Sequence, residues 1–181
     1  MTVTPSPSLV ARSWRLAERA IGWLEMLQPA AQLAARWFVA GVFFRSGLTK
    51  LRDWDTTVAL FTDEYHVPLL SPDVAAVLGT GGELVLPVLL VLGLGGRFAA
   101  AGLFVVNLVA VISLGAEPPP AALQQHVFWG SVLLGLLLWG PGRWSADRFV
   151  APWLRQRLLG PVDAPMPVLP ASSVAPPITR A

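Results

Sequence analysis

The chain has 181 residues, of which 54% are hydrophobic and only 13% charged, with a formal net charge of +2. Soluble domains carry roughly a quarter charged residues, so this composition excludes an ordinary water-soluble globule and makes the bilayer the natural solvent. The absence of cysteine excludes disulfides, thiol redox chemistry, thiolate metal centres and iron–sulfur clusters carried by the chain itself. The basic residues, nearly all arginine, collect near the ends of apolar runs, which is a membrane-orienting pattern and not a nucleic-acid footprint.

Residues 1–30 do not read as a cleaved signal peptide, because Arg12, Arg15, Glu18, Arg19 and Glu25 interrupt any apolar core of the required length. They predict an amphipathic helix. Val10, Trp14, Ala17, Ile21 and Leu24 recur at spacings of four and three, with Arg12, Arg15 and Arg19 on the opposite face, as in a helix lying in the membrane interface.

Pro29 is expected to open the first crossing, Leu33 to Thr49, whose end charges Arg36 and Arg45 can snorkel to the headgroups. A polar stretch with Asp53, Asp55, Asp63, Glu64 and His66 follows, punctuated by Pro68 and Pro72. The second apolar run spans Val74 to Leu94, and Gly95-Gly96-Arg97 predicts a tight turn. The third, Phe98 to Leu114, ends at Glu117 and the prolines at 118, 119 and 120, which cannot continue a helical ladder. The fourth runs from Leu123 to Gly140. Spans of about seventeen to twenty-one residues suit a hydrocarbon core of about 30 Å. The runs are continuous rather than alternating, which rules against a β-barrel.

The expected fold is therefore all-α: a transmembrane four-helix bundle over residues 31–150, preceded by the amphipathic interfacial segment 1–30. A cytoplasmic segment, 151–181, follows, and its proline-rich tail lacks the apolar clustering to bury a core. Arginines before the first crossing, between the second and third, and after the fourth place both termini in the cytoplasm.

Glu83 is the strongest chemical signal, since an acid near the middle of an apolar span costs on the order of 3 kcal/mol to insert. Gly79, Gly81 and Gly82 precede it and allow a neighbouring helix to approach. Pro87, lacking an N–H, leaves the carbonyl of residue 83 unpaired. The candidate partners are Arg45 and Lys50. Antiparallel packing favours Arg45 by depth, while Gly47 and Lys50 share a different face that suits helix packing. Asn107, Gln124, Gln125 and His126 are expected to add polar contacts in one outward-biased pocket. Such a cluster either fixes helix register or forms a ligand or proton site. No spacing supports a metal centre. Trp37, Trp54, Trp129, Trp139, Trp144 and Trp153 are assigned mostly to interfacial anchoring.

Four segments in order carry a family resemblance: Arg36-Trp37 leading into Phe43-Phe44-Arg45-Ser46-Gly47-Leu48-Thr49-Lys50, then Glu83, then Gly93-Leu94-Gly95-Gly96-Arg97, then Gly140-Pro141-Gly142-Arg143-Trp144-Ser145-Ala146-Asp147. Over residues 33 to 150 the chain resembles the DoxX family of small bacterial membrane proteins. Gly81-Gly82 and Pro87 around Glu83 depart from the ordinary helix formers expected there. The resemblance implies a location in the bacterial inner membrane and a role as an accessory subunit of a redox system, not a self-sufficient enzyme. Relatives are linked to quinone-dependent oxidoreduction, to complexes that hold thiol- or superoxide-handling enzymes at the membrane, and to metal stress. With no cysteine, electron transfer would need a bound quinone or a partner's cofactor. The competing expectations are a non-catalytic adaptor that recruits a soluble partner, and a small transporter or proton path. The bilayer, a redox partner and a second copy of the chain are the expected contacts; nucleic acid is not.

Overall fold

The computed structural model describes residues 9–65, 67–113 and 119–160. His66, Leu114, Glu117, Pro118 and the proline-rich tail beyond Gly160 lie outside the described residues. Within them the protein is all-helical: α1 (Leu9–Arg52), α2 (Trp54–Asp63), α3 (Pro72–Leu92), α4 (Gly96–Ser113), α5 (Pro120–Trp139) and α6 (Asp147–Leu159). Three of these, α3, α4 and α5, are long and apolar enough to cross a membrane, at 21, 18 and 20 residues, or about 27–32 Å. Their bounds fall within a few residues of the second, third and fourth expected crossings. Proline opens two of them, Pro72 and Pro120 standing at the first helical position, where its missing N–H costs nothing.

The expected division at Pro29 is not a helix end. α1 continues through that residue for 44 residues, about 66 Å at 1.5 Å per residue. Proline removes only the bond to the Glu25 carbonyl, and a helix can tolerate that loss. The half of α1 before Pro29 is almost wholly exposed, whereas Pro29, Arg36, Val39, Ala40, Phe43 and Gly47 are buried in the half after it.

That second half packs against α3, α3 against α4, α4 against α5, and α5 returns to α1. Neighbours run antiparallel. A Cβ on Gly47 would lie 2.9 Å from Leu84, whereas one on Gly93 would meet Arg36, so rising numbers on α1 meet falling numbers on α3. Gly82 faces Val106 and Gly102 faces Leu86 in the same manner on α3 and α4. The core inside this ring is made of Val39, Phe43, Leu90, Leu103, Leu133 and Leu136 with small alanines between them. Close approach over small residues is how helices gain contact where lipid supplies no hydrophobic drive.

Two further helices arise where the sequence reading has none. α2 occupies the acid-rich stretch because Asp53 caps it: one carboxylate oxygen accepts the Thr56 N–H at 3.0 Å and the other the Thr56 hydroxyl at 2.7 Å, as an N-cap side chain does. α6 buries no residue against the rest of the chain.

Candidate functional site

Two polar pairs interrupt the apolar interior. The first joins α1 to α3. Lys50 Nζ donates to both carboxylate oxygens of Glu83, at 2.8 and 2.6 Å, and to Ser46 Oγ at 3.0 Å. An ammonium has three hydrogens, so all of them are used. Glu83 is only 8% exposed, and a carboxylate this deep stays charged only with a partner that compensates its lost hydration.

Gly47 explains why the partner is Lys50. With no side chain, it lets α1 settle on α3 directly over Glu83 and Leu84. Lys50, one turn further on the same face, then falls beside the acid. The expected pairing of Glu83 with Arg45 is corrected accordingly: Arg45 is exposed and folds back to donate from Nε to the Gly41 carbonyl at 2.9 Å. Depth alone favoured arginine, but the packing face decides the partner.

Thr80 lies one turn before Glu83, level with Lys50 in the antiparallel register. It is 2% exposed, and its hydroxyl has no hydrogen-bond partner among the described residues. Since buried polar groups are almost always satisfied, this hydroxyl is an available donor and acceptor beside a charged pair. Pro87, within α3, frees the Glu83 carbonyl one turn in the other direction.

The second pair joins α4 to α5. Asn107 Nδ2 donates to the His126 carbonyl at 3.0 Å, and His126 Nδ1 lies 2.9 Å from Asn107 Oδ1. An amide oxygen only accepts, so the proton of this bond belongs to His126 Nδ1, which leaves Nε2 of the neutral ring with a free lone pair. The His126 ring meets Trp129 edge-on at 5.1 Å, and Trp129 meets Phe43 at 6.1 Å. Because Gly82 opposes Val106, the two pairs stand at a similar level of the bundle. The expected pocket is thus two separate pairs, Lys50–Glu83 and Asn107–His126. Gln124 and Gln125 are exposed, and Trp129 packs on the core where interfacial anchoring was expected.

A third polar assembly lies at the opposite end of the bundle, and here the sequence reading misassigned a residue. Arg36 does not snorkel. It is fully buried, donates from Nη2 to the Trp144 carbonyl, and leaves Nε and Nη1 without partners among the described residues. It stands against Gly93, the left-handed cap of α3 with φ +68°, where the negative end of the helix dipole favours a cation. The connector after α5 closes over the same point. Ala146 and Asp147 donate their N–H groups to the Leu92 and Gly93 carbonyls, and the Asp147 carboxylate accepts from the N–H groups of Gly95 and Gly96 at 2.7 and 2.9 Å. Three of the four segments singled out in the sequence therefore form one knot. The signal was present in Asp147, an acid placed to cap a helix that is distant in sequence.

Residues 31–116 match the family model for DoxX. The chain carries a DoxX domain. Arg36, Lys50, Glu83 and Asn107 all lie within the DoxX match, whereas His126 and the 140–147 connector lie beyond it. The chain is also 42% identical over 80 residues to the uncharacterized membrane protein Rv3486 of Mycobacterium tuberculosis. That alignment covers 36% of this chain and 49% of the relative, so the chain spans about half the length of the curated protein it matches. No solved structure matches it.

Proposed function

We propose that this DoxX protein is a four-crossing accessory subunit of a redox system in the bacterial inner membrane, and that a quinone headgroup docks beside Lys50, Glu83 and Thr80. The observation that carries the reading is the unpartnered Thr80 hydroxyl, buried one turn from a charged pair inside an apolar bundle. A quinone needs a hydrogen-bond donor for a carbonyl and an apolar path for its tail. Thr80 Oγ supplies the donor, Lys50 supplies positive charge, and the helices supply the path. When bound, the quinone would supply the two-electron chemistry that a chain without cysteine lacks. The residues themselves hold the headgroup and exclude water from it.

The residue 31–52 half of α1 serves as the first crossing, matching α3 to α5 in length. The half before Pro29 exceeds what a core of about 30 Å can contain and lies in the cytoplasmic interface. Val10, Trp14, Ala17, Ile21 and Leu24 fill an arc separate from that of Arg12, Arg15 and Arg19. The arginine-rich ends of the bundle support a topology with both termini in the cytoplasm.

The test is to purify the protein from native membranes, extract its lipids and assay linked quinone reduction. Co-purifying quinone, together with a loss of activity in Glu83→Gln and Thr80→Val, is the expected result. Absence of quinone with unchanged activity in both variants would remove the proposal. A second reading, a membrane adaptor, is favoured by α6, which exposes Phe149, Trp153, Leu158 and Leu159 beside Arg155 and Arg157. Deletion of residues 149–160, which spares Asp147, would then abolish capture of a soluble partner, while Glu83→Gln would leave it intact.

A further inference from the structure

We propose that the cleft between the Pro29 region of α1 and the 142–148 connector binds the phosphate of a membrane phospholipid. This cleft, about 670 Å³, is lined by Gln28 and Gln32 on one wall and by Arg143, Ser145 and Arg148 on the other. It lies at the level of Gly93 and Gly142, where α3 and α5 have just ended. Two membrane-length helices stop at this height, so it is the depth at which lipid phosphates stand.

The charge balance points to an anion. Glu25 and Asp147 also border the cleft, but both oxygens of Asp147 are committed to the N–H groups at the start of α4. Behind the wall, the Arg36 side chain and Ser145 both crowd the point that a Gly93 Cβ would occupy. Arg36 therefore lies one residue behind the cleft surface, and it has no carboxylate partner among the described residues. Three guanidinium groups thus stand near two carboxylates, a net positive balance, and only Glu25 has oxygens not already taken by the N–H groups of α4. A buried, unneutralised cation raises the local potential, because low-dielectric surroundings screen it weakly. Arg143 and Arg148 are exposed and free to form the forked contacts with phosphate oxygens for which guanidinium is suited. The glutamine amides opposite can donate to the remaining oxygens. A phospholipid satisfies this set while its acyl chains lie along the adjoining apolar helices. A soluble phosphate would use the same polar groups without the chains.

The experiment titrates detergent-purified full-length protein with dihexanoyl phosphatidylglycerol and, separately, with glycerol phosphate. Saturable binding of the lipid is expected, at least about tenfold tighter than glycerol phosphate, which is about 1.4 kcal/mol. The double variant Arg143→Gln/Arg148→Gln should weaken lipid binding about tenfold with an unchanged melting temperature. Arg45→Gln/Arg52→Gln, which removes the same charge from exposed sites at the far end of α1, should leave it unchanged. Absence of saturable binding, or equal losses in the two double variants, would overturn the cleft as the site. Glycerol phosphate binding as tightly as the lipid would overturn the membrane source of the phosphate.

Discussion

Lys50 and Glu83 form a two-oxygen ion pair, with Nζ 2.8 and 2.6 Å from the carboxylate oxygens, across the α1–α3 contact. The two residues are 33 positions apart and meet only because Gly47 lets the helices touch. The pair also illustrates a general asymmetry, because removing one partner strands a charge whereas removing both does not.

Substituting one member should therefore cost more than substituting two. Lys50→Met and Glu83→Leu alone are expected to destabilise by about 3 kcal/mol each, somewhat below the fully buried case because Lys50 keeps partial exposure. The double variant should recover most of that loss. Thermal unfolding of the four proteins in detergent gives the coupling energy, and strictly additive losses would contradict the pairing. Arg45→Met, which touches only its own helix, should stay within about 0.5 kcal/mol of wild type.

At Gly47 the prediction is steric. Even alanine brings its Cβ to 2.9 Å from the Leu84 side chain and 3.1 Å from Glu83 Cβ, so α1 must shift or Leu84 must yield. Gly47→Ala should cost about 1 kcal/mol and Gly47→Leu about 3 or more, the range seen for overpacked interiors. Gly81, with open space around it, should accept alanine without loss. Paired melting curves separate the two sites.

Asp147 should behave as a cap supplied from a distance. Asp147→Ala removes an acceptor from two N–H groups at the start of α4 and is expected to cost about 1–2 kcal/mol. Asp147→Asn retains one acceptor oxygen and should cost less. Hydrogen exchange at Gly95 and Gly96 reports the change directly, and protection that persisted in the alanine variant would refute the assignment.

Asp53 gives a pH dependence with a definite sign. The Thr56 hydroxyl and N–H, both bonded to its carboxylate, hold its pKa below the ordinary carboxylate value. A depressed folded pKa contributes stability that is fully present above the unfolded value, about 3.9, and is lost as the pH falls through the lower folded value. The melting-temperature advantage of wild type over Asp53→Ala should thus be constant from neutrality to about pH 5 and shrink below about pH 4. A gap that widened on acidification would reverse the argument.

Much of the membrane-spanning frame was legible in the chain, because α3, α4 and α5 are continuous apolar runs of bilayer length bounded by proline or glycine. What the sequence hid had non-local causes. Arg36 reads as a snorkelling charge until the Trp144 carbonyl, 108 residues away, is seen to receive it. Lys50 was ranked behind Arg45 because depth along a helix is easier to read than the face that a distant glycine selects. The mutual bonding of Asn107 and His126, which sets the imidazole tautomer, depends on how α4 and α5 turn towards one another. α2 could have been read from Asp53 and Thr56, whose spacing is that of a capped helix start.

The uninterrupted course of α1 has a mechanical consequence. Leu9 and Arg52 belong to one rod, so whatever grips the protruding Trp14–Trp23 region holds a lever whose far arm carries Lys50. Twisting or tilting that arm would load the Arg36–Trp144 contact first and then move the ammonium relative to Glu83. Pro29, where one rung of the ladder is missing, is the point at which such a lever would flex.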